Sequence, residues 1–414
     1  MYKKQRNGKE VVPVTDLRVF AEKIGDYLEK EQDHLVQFLR DFIAIPSETY
    51  NEREAANFFA DKMRANGFDE VKQDRIGNVF GRIGSGKTVI LYDAHMDTVE
   101  AGELSAWRFD PFKGKLENGI VYGRGAVDDK GCLAAFVYAG KALKELGLDQ
   151  DFTLYVVGAI AEEDVEGSAL EDLMESEPQI KPDYVLIGES SEMRITRGHK
   201  GRALLQINVP GKAAHASAAH LGENSLIKAI PVIQLLDAWK DLPEDPFLGK
   251  GTLEVTKVAC KTPSLNTIPG ETVIYIDRRT TAGETKEDLL NEVRPLVEKI
   301  GATVKIVEVE NPSYTGYVKH AEEFFPSWVI PEDHELVQAG ARSFKTLFDK
   351  DPIIGKWNFS TDGTQTCGRA GIPTIGFGPG NGAFCHSTDD QVPISELVDA
   401  AKFYALLPLA ITNK

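Results

Sequence analysis

Apolar positions recur every three to four residues between Asp26 and Ile45, where Leu28, Leu35, Phe38, Leu39, Phe42 and Ile43 share a face. They do so again in NEREAANFFADKMRANG, which a glycine stops. Both stretches predict surface helices. Apolar strand-like runs then alternate with helical ones: TVILYDAH, the helix DDKGCLAAFVYAGKALKELG, FTLYVVGAI, the acidic helix EGSALEDLMES, and YVLIGES. Strands apolar on both faces and separated by helices predict an α/β fold with a largely parallel, helix-covered sheet.

Near Ile195 the style changes. RALLQINVP, ENSLIKAIPVIQLLDAWK, GTLEVTKVA, ETVIYIDRR, KEDLLNEVRPLVEKI and ATVKIVEVE read as strand, helix, strand, strand, helix, strand, the β-α-β-β-α-β order of a ferredoxin-like unit. PEDHELVQAGARSFKTLF and IPTIGFGPG then resume the first style. The expected organisation is a larger domain in two pieces, residues 1–195 and 313–414, interrupted by a smaller one at residues 196–312.

With 414 residues and 42% hydrophobic content, the chain is long enough for two domains with their own cores. Its 47 basic against 64 acidic residues, net −17, argue against a protein that grips nucleic acid or anionic membrane nonspecifically. No apolar run is long enough to span a bilayer, and MYKKQRNGKEVVPVTDL is basic without an apolar segment, so it reads as a short solvated tail. Cys132, Cys260, Cys367 and Cys385 lie far apart, which indicates neither a disulfide framework nor a thiolate zinc cluster and points to the cytosol.

Residues 81–88, GRIGSGKT, match the phosphate-binding loop pattern in full. That loop works only where a helix follows the lysine, because the helix N-terminus cradles the phosphates. Here the β-type run VILYDAH follows and NVFGRI precedes, so GSGK is expected to form a tight hairpin turn instead.

Candidate ligands sit where apolar strands end: His95 after VILYDA, Glu162 and Glu163 after YVVGAIA, Glu189 after YVLIG. Asp128 heads the helix after YGRGAV, and His386 follows IGFGPGNGAFC. In an open α/β sheet the carboxyl ends of the strands line one crevice, so these residues can meet. Acids crowded together in a half-buried site call for a cation. Two imidazoles and three carboxylates suit two borderline dications such as zinc, with one carboxylate as bridge. Three ligand carboxylates and a bridging hydroxide would balance the charge. Successive residues of extended chain point to opposite sides, so one of Glu162 and Glu163 is expected to be a ligand and its neighbour a base. Asp97, in HMD, is placed to take the ring N–H of His95. Asp164 and Glu166 read as the solvated start of a helix, favoured by its dipole.

The motifs DAHMDTV, YGRGAVDDKG, AEED, IGES, GKAAHAS, NTIPG, IDRR, STDGT and GIPTIGFGPG followed by CHSTDD, in that order over nearly the whole chain, resemble those of a known family. It is that of the co-catalytic zinc exopeptidases and deacylases of peptidase M20 type, which includes carboxypeptidase G2, acetylornithine deacetylase, succinyl-diaminopimelate desuccinylase and aminoacylase-1. The nearest likeness is to a hydrolase subgroup linked by genome context to selenium metabolism. The resemblance implies a zinc-exopeptidase catalytic domain with an inserted dimerisation domain. It makes His95, Asp128, Glu163, Glu189 and His386 the ligands of two divalent metal ions, zinc first, with cobalt or manganese as alternatives and Asp128 as bridge. It makes Glu162 the general base and Asp97 the orienting acid. His215 of GKAAHAS would reach across a homodimer to the oxyanion, and Asn266 and Arg279 would contact substrate, the arginine holding a carboxylate.

The implied activity is hydrolysis of an amide in a small molecule: an N-acyl amino acid, an N-carbamoyl amino acid or a dipeptide. A non-catalytic metal-binding homologue serving as a binding or assembly module is the alternative, which an intact Glu162 beside an intact ligand set disfavours. GES for GEPT, VDDK for xDMK and Asp390 where glutamate is usual are departures that leave every ligand in place and bear on substrate. Cys385 is set aside as a soft ligand because N and O donors already fill both sites. His34, His199, His220, His320 and His334 are read as surface or structural residues.

Overall fold

The computed structural model describes residues 17–413; the basic N-terminal stretch read as a solvated tail lies outside them as far as residue 16. The first helical pattern resolves into two helices, Leu17–Lys30 and Gln32–Ile43, and all six of its apolar positions are buried.

The larger layer is a nine-stranded mixed sheet. At its centre Phe152–Ala159, Thr88–His95, Tyr184–Ile187 and Thr374–Gly376 lie side by side and parallel. Val79–Gly84 and Trp328–Val329 join the sheet antiparallel. Every residue of Phe152–Ala159 is buried, as expected of a strand covered on both faces. Helices Lys130–Glu145 and Ile394–Thr412 pack on the central strands and on each other, and both are buried around most of their circumference. They therefore lack the one-sided pattern of the outer helices.

One expectation fails. Val79–Gly84 does not pair with Thr88–His95, because Phe152–Ala159 lies between them, antiparallel to the first and parallel to the second. GSGK is thus a crossover between strands that are not neighbours, not a hairpin. A Cβ on Gly86 would fall 2.2 Å from the backbone of Asp151 and Phe152, so glycine there lets the crossover hug the intervening strand. A strand, not a helix, begins at Thr88, so the phosphate cradle has no helix N-terminus.

The second sheet is antiparallel, in the order Thr252–Lys261, Glu271–Thr280, Gly201–Pro210, Thr303–Ile306. With helices Ser225–Ala238 and Lys286–Glu298 it forms the expected ferredoxin-like unit. Strict alternation divides its strands. Ala203, Leu205, Ile207 and Val209 join the helices in a separate core, whereas Arg202, Leu204, Gln206 and Asn208 point to the opposite, open face. The same rule separates two adjacent arginines: Arg278 is 1% exposed and ion-paired with Glu284 and Glu292, while Arg279 turns to the open face. The short strand Phe324–Phe325 adds to the second sheet beside Gly201–Pro210 before Trp328–Val329 rejoins the first.

Candidate metal centre and active-site cleft

Parallel strands end on one side of the sheet, and the side chains read as ligands converge there. His95 closes its strand in register with Ala159, so Glu162 and Glu163 emerge just beyond it, and Glu189 follows Ile187 of the neighbouring strand. The Asp128 carboxylate lies between the two histidines. Its Oδ1 is 3.0 Å from His95 Nε2 and its Oδ2 is 3.3 Å from His386 Nε2. Glu189 Oε1 is 3.5 Å from His95 Nε2, and Glu163 Oε2 is 2.8 Å from His386 Nε2. The donors therefore divide into His95 with Glu189 and His386 with Glu163, and Asp128 offers one oxygen to each pair. Ligand atoms of His95, Glu162 and Glu189 also lie within 4.8 Å of one another, as do those of His95, Asp128 and Glu163.

Asp97 ties the site together from behind. His95 Nδ1 donates to the Asp97 backbone carbonyl at 2.9 Å, with the Asp97 carboxylate 3.5 Å away. With Nδ1 so engaged, Nε2 is the ring nitrogen turned toward Asp128 and Glu189, where its lone pair could serve a cation. The Asp97 carboxylate itself accepts the backbone N–H of Glu162 at 3.1 Å, the N–H of Glu163 at 3.2 Å and the Thr49 hydroxyl at 2.9 Å. Just before this pair, Ala161 is held at φ 55 with its N–H bonded to Glu52 Oε1 at 3.1 Å. His386 adopts φ 58. Left-handed non-glycine residues cost of order 1–3 kcal/mol each and persist where their surroundings over-determine them.

The electrostatics ask for positive charge. Burial pushes the carboxyls of Glu162 and Glu163 up and that of Glu189 to about 7. Burial also opposes ionisation of Asp128, but its bonds to His386 and His95 hold it well below the usual carboxylate range. Bonds to Asp128 and Glu163 push His386 up to about 10. Burial alone would lower His95, yet Asp128, Asp97 and Glu189 raise it well above an ordinary imidazole. Both histidines are thus pushed toward the charged form by the acids around them, which marks a site that favours positive charge. Glu163 Oε1, moreover, is buried without a hydrogen-bond partner. The donor set, its division about Asp128 and this orphaned oxygen fit a pair of borderline divalent ions.

A cleft of ≈ 330 Å³ opens over these groups. Asp128, Glu162, Glu163, Glu189 and His386 line one side of it, and Arg202 and Arg279 reach it from the second sheet. Arg279 is forked onto Asp277 at 2.8 and 3.1 Å, and its Nη1 makes no hydrogen bond to a described residue. His215 and Asn266 are not brought into this cleft. They sit together on an exposed two-stranded ribbon, Asn266 Nδ2 at 3.4 Å from His215 Nε2.

Two acids depart from their sequence reading. Glu166 is not solvated: it is 8% exposed, paired with Arg202 at 2.9 Å and bonded to the Ser360 hydroxyl at 2.7 Å. Asp164 accepts the Tyr50 hydroxyl at 2.5 Å, and the helix starts only at Ser168, after Gly167 at φ 74. Arg202 had drawn no attention in the sequence; the cue was its place among outward-facing positions of a strand whose alternate residues are apolar. Asp390 is buried, paired with Arg124 at 3.1 Å, and accepts the N–H of Gly125 and of Val127, which shapes the turn leading to Asp128. Cys385 lines the cleft with Sγ 3.4 Å from Ser190 Oγ, and burial raises its thiol, so it stays a neutral wall group.

Comparison with known proteins gives the chain its family. The model of Peptidase family M20/M25/M40 matches residues 91–410. The uncharacterized protein YgeY of Escherichia coli (strain K12) is 39% identical over 95% of this chain and 97% of its own. Succinyl-diaminopimelate desuccinylase of Methylocella silvestris is 27% identical over 89% of this chain and 96% of its own. Among solved structures, the YXEP protein of Bacillus subtilis, described as a dinuclear metal binding peptidase, superposes with a TM-score of 0.66 at 16% identity, covering 92% of this chain and 98% of that one.

Proposed function

This chain belongs to peptidase family M20/M25/M40 and is a metal-dependent hydrolase, and from that premise we propose that it cleaves an amide bond in a small, carboxylate-bearing molecule with the help of two divalent ions. Zinc is the foremost candidate, cobalt and manganese the alternatives. The single observation that carries the reading is Asp128 poised between His95 and His386, with Glu189 and Glu163 flanking them. In this reading His95 and Glu189 would hold one ion and His386 and Glu163 the other, with Asp128 available to both.

When bound, the ions neutralise the carboxylate cluster and polarise the scissile carbonyl. The rest falls to the protein. Glu162, buried and raised by that burial, takes a proton from the attacking water and passes it to the leaving nitrogen. Asp97 keeps Glu162 in place through its amide. Arg279 turns its free edge toward the cleft and holds the substrate carboxylate, which orients the amide over the site. The substrate classes this suits are N-acyl and N-carbamoyl amino acids and dipeptides.

A homodimer completes the site in this reading. His215, with Asn266 beside it, lies outside its own cleft, and the same domain exposes the apolar side chains of Leu221, Ile227 and Leu235 by 57%, 59% and 53%. A second copy seated there would bring its His215 to the oxyanion. No helix among the described residues is long and apolar enough to cross a membrane, and a cytoplasmic location is consistent with its four unpaired cysteines.

Metal analysis of the purified protein, followed by a screen of N-acyl, N-carbamoyl and dipeptide substrates, tests the proposal. Two divalent ions per chain and turnover of one class are expected. A chain that binds no divalent ion at these residues overturns it.

A further inference from the structure

The segment Ile160 to Gly167 carries Glu162 and Glu163 and is neither strand nor helix. Its first half is anchored from the large sheet, by Asp97 at the amides of Glu162 and Glu163 and by Glu52 at that of Ala161. Its second half is held from both domains: on the large-domain side Tyr50 bonds Asp164, Ser360 bonds Glu166 and the amide of Gly167 bonds Asp362, and Arg202 reaches it from the other. The Nη2 of Arg202, on the second sheet, donates to the carbonyl of Asp164 at 3.3 Å and to Glu166 Oε2 at 2.9 Å, and reaches Glu323 Oε2 at 3.0 Å. Its guanidinium lies over the Phe325 ring at 4.8 Å. Among the described residues, Arg202 is the one basic group paired with Glu166 and with Glu323. In the strand ladder Arg202 stands directly opposite Arg279, so both arginines face the cleft from adjacent strands.

We propose that Arg202 is a positioning residue: from the inserted domain it clamps the Asp164–Glu166 end of the segment that presents Glu162 and Glu163, and so couples the seat of that domain over the cleft to the geometry of the metal centre. The reasoning is mechanical. Tyr50, Ser360 and Asp362 fix this end of the segment to the large domain, and Arg202 adds a pin that belongs to the inserted domain, so the seat of that domain bears on the same three residues. The pin crosses the domain boundary and is adjacent to the residue proposed to hold substrate, so a shift of the inserted domain moves both together. Arg202 is already engaged by two carboxylates and a carbonyl, which distinguishes it from Arg279, whose Nη1 makes no hydrogen bond to a described residue.

The inference rests on the roles given above to Glu162 and Glu163, and its test separates the two. Arg202→Met, Arg202→Lys and Glu166→Gln are compared with the wild-type protein by Co²⁺ titration followed by its visible absorption, by hydrogen exchange of the amides of residues 162–167, and by kcat and KM on any substrate found. Loss of the pin is expected to weaken the second Co²⁺ about tenfold or more, to speed exchange in 162–167, and to lower kcat while KM moves less than threefold. The lysine variant, keeping charge without the reach to three acceptors, should recover part of each loss. Glu166→Gln combined with Arg202→Met should be no worse than the harsher single variant, since both break one clamp. A rise in KM with Co²⁺ binding and exchange unchanged would make Arg202 a direct substrate contact and overturn the proposal. If Arg202→Met does not fold, Glu166→Gln and Arg202→Lys carry the same measurements. If the wild-type protein binds no Co²⁺, the metal reading fails on its own, and exchange in 162–167 still decides this one: unchanged rates in the variants overturn it.

Discussion

Asp97 Oδ1 accepts the backbone N–H of Glu162 at 3.1 Å, so the acid that follows the first histidine of the site also fixes the main chain of the proposed base. Its other oxygen holds the amide of Glu163, and its backbone carbonyl takes the ring N–H of His95. One residue thereby sets the spacing of three groups, one at the end of a strand and two in the segment beyond the neighbouring strand.

Replacing Asp97 with asparagine turns one of its two accepting atoms into a donor that faces a backbone N–H or the Thr49 hydroxyl. Hydrogen bonds accepted by an ionised group are worth ~1.5–3 kcal/mol. Asp97→Asn should lower kcat by tenfold or more and weaken metal retention, with the melting temperature changed by only a few degrees. Unaltered metal content and turnover would show that the contacts to Glu162 and Glu163 are incidental.

Glu162 and Glu163 should separate by phenotype. Glu162→Gln is expected to keep its metal and lose about 10²–10⁴-fold in kcat, the usual share of general base work. Glu163→Gln removes the partner of His386 and should instead lower metal content. Elemental analysis alongside steady-state kinetics distinguishes the two, and a reversed pattern would exchange their roles.

The dimer proposal has a complementation test. His215→Ala should fold and bind metal while kcat falls about a hundredfold, since one oxyanion donor is worth ~3 kcal/mol. Mixing it with Glu162→Ala should restore activity, because one site of the heterodimer then has both groups. If exchange of subunits is demonstrated by mass spectrometry and no activity returns, His215 does not act in trans.

His199 supplies a pH dependence away from the metal residues. It is buried against Trp328, its Nδ1 donating to the Lys200 carbonyl, and burial pushes it down to about 4. The unfolded chain protonates this ring near 6.5 and the folded chain does not until about 4, so the unfolded state binds more protons in between. The contribution is fully present above pH ~6.5 and falls as pH drops toward 4, by roughly 2 kcal/mol at pH 5. Urea unfolding at pH 7.5 and 5.0 should show this loss in the wild-type protein relative to His199→Gln, whose side chain does not titrate. Equal pH slopes for the two proteins would mean that the folded protein protonates His199 normally.

Much of this protein is legible from residue order because the signals are local. Period-2 and period-3.6 patterns placed the strands and helices of both sheets, and strands ending in His95, Glu162, Glu163 and Glu189 pointed to a shared crevice because parallel strands must end on one side. The alternation of side chains likewise anticipates that Arg278 and Arg279 face different ways. What only the tertiary structure decided depends on which distant segments become neighbours. Phe152–Ala159 inserts between Val79–Gly84 and Thr88–His95, so a turn that looked like a hairpin is a crossover; strand order is set by packing of the whole sheet, not by the turn. Glu166 reads as a solvated helix start until Arg202, thirty-six positions on, arrives from another domain to neutralise it. Charge on a side chain is a property of its residue, but whether that charge is solvated, paired or left to bind a metal is a property of its surroundings, and those exist only once the chain has folded.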